Sequence, residues 1–357
     1  MKRCRRCLIP DSRPDTAFVD GICSACLTHD VQASIDWVQR RKDLTRLLEH
    51  QKPNGSGYDC IVASSGGKDS HAQVLNLLCL GASPLIVTAT TCMLTEIGRK
   101  NIDNLKRYAP TIEVTPNQDI RAKLNYLGLT LVGDISWPEH VAIFTTPMRM
   151  AVALGIPLVF YGENPQAQYG GPLGSEEARE MTYRWVTEFG GFLGLRTSDM
   201  VGQMGITTDD MLPYAFPDPK FINKLGCQAH FLGQYLGPWD SHRNAEKAIE
   251  AGMVAELPCL GNWWGHENLD NAMTGLHDYV MLKKYGYGRA CAQLSVDIRF
   301  GRIKRDAALE ICKEKEWFFP HIYAGIPVET VYERVGVTAD EFSAIVKRFT
   351  TDHGAGA

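Results

Sequence analysis

Between Asp59 and Ser70 the chain reads Asp-Cys-Ile-Val-Ala-Ser-Ser-Gly-Gly-Lys-Asp-Ser. The apolar run Asp59 to Ala63 enters a Ser/Gly turn, and a helix-like pattern, His71 to Leu80, follows. A buried strand feeding a glycine-rich turn that opens a helix is how α/β sheets build a phosphate site. Gly66 and Gly67 let the backbone come close to an anion, and the N–H groups at the helix N-terminus point at it. Ser65 and Ser70 add hydroxyl donors, Lys68 a charge, and Asp69 a helix cap or a metal contact. The plainer reading, an ordinary Ser/Gly loop, leaves the coincidence of strand, turn and helix unexplained. The spacing is not that of a Walker loop, since no glycine stands five residues before Gly67, nor is it Gly-x-Gly-x-x-Gly.

A second constellation lies at the N-terminus. Cys4 and Cys7 form one Cys-x-x-Cys pair, and after fifteen intervening residues Cys23 and Cys26 form another. Two pairs at this separation fit a structural zinc ribbon in which four thiolates close a tetrahedron. Pro10, Asp11, Pro14, Asp15, Asp20 and Gly21 between them supply turns rather than a core, so the segment needs the metal to hold a fold. A catalytic zinc would keep a position open, and four cysteines leave none.

A third stretch is Gly162-Glu163-Asn164, which follows the apolar run Pro157 to Tyr161 and precedes Pro-Gln-Ala-Gln-Tyr169-Gly-Gly. Its two polar side chains read either as a metal or substrate contact, with Asn164 donating a hydrogen bond, or as a simple helix cap.

The elements that must position these residues alternate. Strands are expected at Asp59 to Ala63, Pro84 to Thr91, Thr111 to Thr115 and Pro157 to Tyr161, with Ala229 to Gly233 as a further candidate. Helices are expected over Ser34 to His50, Ile97 to Tyr108, Ile120 to Leu127 and His140 to Leu154. Apolar strands alternating with helices indicate a doubly wound parallel sheet. Ligands in such sheets sit at the carboxyl ends of the strands, which brings together the turn at Ser65, Thr90-Thr91 and Gly162 to Asn164.

The expected organisation is a ribbon over 1–30, a helix and linker over 31–57, an α/β nucleotide domain over 58–174, and an insertion with a mostly helical C-terminal region over 175–357. The linker is the Pro- and Gly-rich run Gln51 to Tyr58. Trp263, Trp264, His266 and Glu267 form a polar-aromatic cluster that would either line a pocket or pack. Gly275 to Arg289 reads as a glycine-capped helix loaded with cations, and Arg299, Arg302 and Arg305 either share a solvated face or clamp a diphosphate. Val328 to Phe349 reads as two short helices with a capping box at Thr338 to Glu341.

Composition bounds the rest. With 45% apolar and 22% charged residues in 357, the chain has the make-up of a globular enzyme. A net charge of −4 with no long basic run argues against nucleic-acid binding. No run reaches membrane-spanning length, and eleven cysteines read as thiols and metal ligands of a reducing, cytoplasmic compartment.

Ser65 to Ser70 resembles the Ser-Gly-Gly-x-Asp-Ser loop of the PP-loop ATP pyrophosphatases. Other motifs narrow this: Cys4-x-x-Cys7-Leu-x-Pro-Asp-x-Arg-Pro-Asp15, Cys23-Ser-Ala-Cys26, Gly162-Glu-Asn-Pro-Gln-Ala-Gln-Tyr-Gly-Gly171, Lys284-Tyr-Gly-Tyr-Gly-Arg289 and Asp297-Ile-Arg299. Together, and nearly end to end, they resemble the N-acetyl sugar amidotransferases of bacterial surface-polysaccharide biosynthesis. The resemblance implies a Rossmann-like PP-loop domain using ATP, Mg2+ and a structural Zn2+. It implies an N-acetyl sugar, nucleotide-linked or a nonulosonic-acid precursor, whose acetamido group becomes an acetamidino group. It also implies ammonia delivered by a glutaminase subunit with a cyclase-like subunit of the histidine-biosynthesis type.

Carried onto this chain, the resemblance makes Ser64, Ser65, Gly66, Gly67, Lys68, Asp69, Ser70, Thr90 and Gly162 the nucleotide-binding residues. Lys68, Asp69, Glu163 and Asn164 become the catalytic set, with Glu163 near the magnesium or the reacting amide. Tyr169, His277, Lys284, Arg289 and Arg299 become substrate contacts. Two rivals carry the same loop: a sulfur-insertion enzyme, which needs a reactive cysteine near it, and a nucleotide-binding regulatory module.

Overall fold

The computed structural model of the protein describes residues 1–51, 57–174 and 178–353. Positions 52–56 of the expected linker, and 175–177 at the start of the expected insertion, lie outside the described residues.

The N-terminal hairpin pairs β1 (Phe18–Val19) with β2 (Ile22–Cys23) in antiparallel register. Its turn residues, Asp20 and Gly21, both have positive φ, at 48° and 74°. That is the two-residue turn whose twist suits a hairpin, and Asp-Gly is the dipeptide that adopts it most readily. The hairpin delivers Cys23 to the start of the helix Ser24–Gln32, which carries Cys26 in its first turn.

The centre of the fold is a five-stranded parallel sheet of β3 (Cys60–Ser64), β4 (Pro84–Ala89), β5 (Thr111–Val114), β6 (Leu158–Tyr161) and β7 (Gln228–Phe231). The order across the sheet is β5-β4-β3-β6-β7, so it reverses at β3, the strand that enters the Ser/Gly turn. Alternation along β3 splits the interior into two cores. Cys60 and Val62 pack with Val74, Leu77 and Leu105 on one side. Ile61 and Ala63 pack with Leu124, Trp137, Val141 and Met148 on the other. Helices therefore cover both faces, which is why β3 and β6 are apolar without a polar alternation.

The sheet continues past residue 174, because β7 pairs with β6 after a long stretch of short helices and turns. The helix Ser241–Glu250 then returns to the helix Lys68–Cys79, with Lys247 Nζ donating to Asn76 Oδ1 at 2.6 Å. Two further cores hold the C-terminal region. Leu276 and Val280 of the helix Thr274–Tyr285 pack with Val331 and Phe342 of the two last helices. Ala290, Cys291 and Leu294 of the helix Arg289–Arg299 pack with Ala308, Cys312 and Leu8 of the ribbon. The segment Gly275 to Arg289 is thus one helix, a glycine turn and the start of a second. Among the described residues no helix is long and apolar enough to cross a membrane.

Candidate functional site

The turn after β3 is held open by its own hydroxyls. Ser65 N donates to Ser70 Oγ at 3.0 Å, Gly66 N to Ser64 Oγ at 3.1 Å and Gly67 N to Ser65 Oγ at 3.4 Å. Gly66 has φ +90°, and a Cβ there would lie 2.7 Å from Ile102 Cγ1, so only glycine fits. Below the turn, His71 Nδ1 and Gly67 O are 3.0 Å apart, and Asn104 Nδ2 is 3.0 Å from His71 Nε2. Burial lowers the His71 pKa, so the neutral ring donates to Gly67 O and accepts from Asn104.

Lys68 is buried and pairs with Asp69 Oδ2 at 2.6 Å and with Glu267. Burial works against its charge, but the carboxylates of Asp69 and Glu267 hold the ammonium well above the ordinary lysine range. Asp69 Oδ1 accepts from Trp239 Nε1 at 3.0 Å and Asn244 Nδ2 at 2.8 Å, so its orientation is set by two side chains far along the chain. Glu267 also accepts from Gln293 Nε2 at 3.1 Å.

Three cavities meet at Glu163, and the two larger ones border this turn. One, of about 230 Å³, runs over the strand ends and is largely apolar, with Val87, Ile143, Phe144, Pro147 and Tyr161 in its walls beside Ser64, Ser65, Ser70, Thr90 and Gly162. The second, of about 250 Å³, is charged and lies between the turn and the C-terminal region, bordered by Lys68, Asp69, Tyr169, Glu267, Asp270 and Arg289. The third is about 30 Å³ and lies against the ribbon helix. Of the residues lining them, Glu163 alone borders all three. Burial, joined by the Asp69 carboxylate, pushes Glu163 up to about 7, with Lys68 pulling the other way. A carboxyl group poised near neutrality is suited to proton transfer.

Asn164 does what the cap reading describes. Its Oδ1 accepts from Gln166 N at 3.0 Å and starts the short helix Pro165–Tyr169. Thr90 Oγ1 is 3.0 Å from Thr115 Oγ1 and borders the apolar cavity. Arg289 is clamped by Asp278 at 3.1 and 2.7 Å, a two-pronged pair that keeps its charge despite burial. Arg299 faces the small cavity, with Nη2 donating to Gln168 O at 2.5 Å.

His277 and Lys284 are engaged elsewhere. His277 Nδ1 is 2.9 Å from Asp134 Oδ1, His140 Nδ1 is 2.8 Å from Asp134 Oδ2, and Lys284 Nζ donates to Val132 O at 2.7 Å. The three arginines share no clamp: Arg302 pairs with Asp240 and Asp297, and Arg305 donates to Cys7 O at 3.1 Å. The aromatic cluster divides. Both Trp263 and Trp264 donate to Asp297 Oδ2, at 3.0 and 2.9 Å, while His266 and Glu267 border the charged cavity.

Sequence reasoning missed Trp239, Asn244, Asp270 and Asp278. Trp239 and Asn244 reach Asp69 from far along the chain, Asp278 meets Arg289 across a glycine turn, and Asp270 lines two cavities; none stands in a spacing that marks it.

The four ribbon cysteines are fully buried, and their sulfurs lie within 4.8 Å of one another. The Cys4–Cys26 and Cys7–Cys23 separations are 3.9 and 3.5 Å. A tetrahedral zinc–thiolate centre needs sulfurs about 3.8 Å apart, so the donor set fits a closed, structural zinc. The ribbon is fastened to the rest: Ser24 Oγ donates to Gly171 O at 2.8 Å and accepts from Gly171 N at 3.1 Å, and Leu8 N donates to Ser295 Oγ at 3.1 Å.

No curated protein sequence matches the chain. Residues 262–355, the segment that carries Glu267, Asp270 and Arg289, match the family model described as LPS biosynthesis protein WbpG-like, C-terminal domain. That match supports a family of polysaccharide-biosynthesis proteins and points to lipopolysaccharide biosynthesis.

Proposed function

We propose that this protein is a cytoplasmic ATP-dependent amidotransferase that converts the acetamido group of an N-acetylated sugar, most simply a nucleotide-linked one, to an acetamidino group. The observation that carries this reading is the position of Glu163, a carboxyl group tuned near neutrality where three cavities of different size and chemistry meet. Three cavities suit three reactants. The apolar cavity with the serine turn suits the base and ribose of a nucleotide, the charged one its outer phosphates and the acceptor sugar beside them, and the smallest a small nucleophile.

An amide carbonyl is a poor electrophile, so its oxygen must first be given a leaving group. The amide oxygen attacks the α-phosphorus, the α–β P–O bond breaks, and pyrophosphate leaves with the electron pair. Lys68, the N–H groups of the turn and Arg289 are the donors that offset charge as it departs. Ammonia then forms the new C–N bond, and the C–O bond breaks toward AMP, which keeps the amide oxygen. Glu163 accepts a proton from the attached nitrogen. Asp69, Glu163 and Asp270 border both larger cavities, and a magnesium ion brought in with the nucleotide would supply positive charge to the phosphates there. We further propose that ammonia reaches the protein from a glutaminase subunit and a cyclase-like subunit.

Against the sulfur-insertion alternative stands the placement of thiols. Among the described residues no cysteine borders any of the three cavities. The test is mass spectrometry after incubation with magnesium-ATP, 15N-ammonium and a panel of nucleotide-linked N-acetyl sugars. One labelled nitrogen per sugar, with matching AMP and pyrophosphate, is the expected result. Pyrophosphate with a sulfur donor but never with ammonium would overturn the reading.

A further inference from the structure

We infer that the smallest of the three cavities, between the ribbon helix Ser24–Gln32 and the loop after β6, is the entry path for ammonia; this rests on the amidotransferase reading. Size is the first argument. At about 30 Å³ the cavity has room for one or two molecules as small as water, and none for a sugar or a nucleotide. The other two cavities are the ones large enough for those reactants, and once filled they leave this one as the opening that still reaches Glu163.

The lining chemistry is the second argument. Glu163, at the inner end, is the single carboxyl group among the residues that border this cavity. The walls are Ala25, Ala167, Val296 and Phe300 with His29 and Arg299. His29 stacks edge-on against Phe300 at 4.9 Å, and burial, with the Arg299 charge beside it, lowers its pKa and keeps the ring neutral. Arg299 Nη2 is used by Gln168 O, but Nη1 is buried with no hydrogen-bond partner among the described residues. A fixed cation and no wall carboxylate disfavour ammonium, while an unused guanidinium N–H can donate to the lone pair of neutral ammonia. The passage therefore selects the form that can attack, and Glu163 meets it where its proton must be lost.

One wall of this path is the metal ribbon itself. Ser24, next to the ligand Cys23, holds Gly171 through both its N–H and its carbonyl. An ammonia source that docks over the ribbon helix would discharge directly into the cavity.

The experiment compares wild type with Ala167→Met, which narrows the cavity, and Gln32→Trp, which covers its outer end from the last turn of the ribbon helix. Free 15N-ammonium is the nitrogen source, and zinc content and melting temperature check the fold. The expected result is a KM for ammonium raised roughly tenfold and more AMP formed per labelled sugar, with the KM for ATP and for the sugar unmoved. Folded variants with the wild-type KM for ammonium overturn the path. If Ala167→Met does not fold, Gln32→Trp decides alone. A wild-type protein that transfers no labelled nitrogen overturns the amidotransferase reading itself, a result distinguishable from a wrong path.

Discussion

Lys68, the first residue of the helix that follows the serine turn, forms a buried ion pair with Glu267 in the C-terminal region. The pair joins the serine turn to the segment that matches a polysaccharide-biosynthesis family model, and it borders the cavity that Arg289 also lines. The charged cavity is therefore made by two parts of the chain, and neither part has it alone.

That pairing sets the expected cost of removing Lys68. Lys68→Met leaves Asp69 and Glu267 as buried carboxylates without their cation, which should destabilise the fold by about 3–5 kcal/mol. Urea denaturation measures it, and a loss below about 1 kcal/mol would mean that water or another cation already compensates the two acids.

Glu163→Gln removes the proton acceptor while keeping the shape of the side chain. Labelled-amidine formation should fall by about a hundredfold or more, with nucleotide affinity changed little. In the wild type the rate should rise with pH and level off above about 7, as Glu163 ionises. A wild-type profile flat between pH 5.5 and 8, roughly the range that brackets this titration, would remove Glu163 from the mechanism.

Gly66→Ala forces a side chain into a left-handed backbone site with Ile102 in the way. Strain of about 1–3 kcal/mol is expected, and it falls on the serine turn proposed to hold the nucleotide. Calorimetry should show weaker ATP binding with the melting temperature only modestly lower; unchanged affinity would place the nucleotide elsewhere.

Cys4→Ser removes one sulfur from a closed four-thiol set. Zinc content should fall toward zero, and the melting temperature should fall with it, because the ribbon is bonded to Gly171 and Ser295. Full zinc retention would show that the four cysteines do not hold the metal.

Asp134 and its two histidines predict a pH optimum of stability. His140 and His277 hold the buried Asp134 well below the usual carboxylate range, against its desolvation, so this contribution is present above the unfolded value of about 3.9 and lost as pH falls. Asp134 in turn raises His140 against its burial, so that contribution is complete below about 6.5, the unfolded histidine value, and lost as pH rises through the folded one. Melting temperature should therefore peak between about pH 4 and 6.5, and Asp134→Asn should flatten the peak.

Much of this site was legible in the sequence, for a physical reason. A strand, a glycine turn and a helix start are neighbours along the chain, so Ser64 to Ser70 needs only local rules, and a Cys-x-x-Cys pair likewise carries its own geometry. Apolar runs alternating with helices up to Tyr161 pointed to a parallel sheet, whereas the order β5-β4-β3-β6-β7 is set by the packing. What periodicity could not supply was everything that approaches from a distance. Glu267 pairing with Lys68, and Trp239 and Asn244 orienting Asp69, depend on how later parts of the chain pack against the turn. Asn164 became a cap, and His277 and Lys284 were drawn into contacts with Asp134 and Val132, because burial obliges each polar group to find a partner nearby. The sequence determined which groups could do chemistry; the tertiary packing decided which of them face one another across the three cavities.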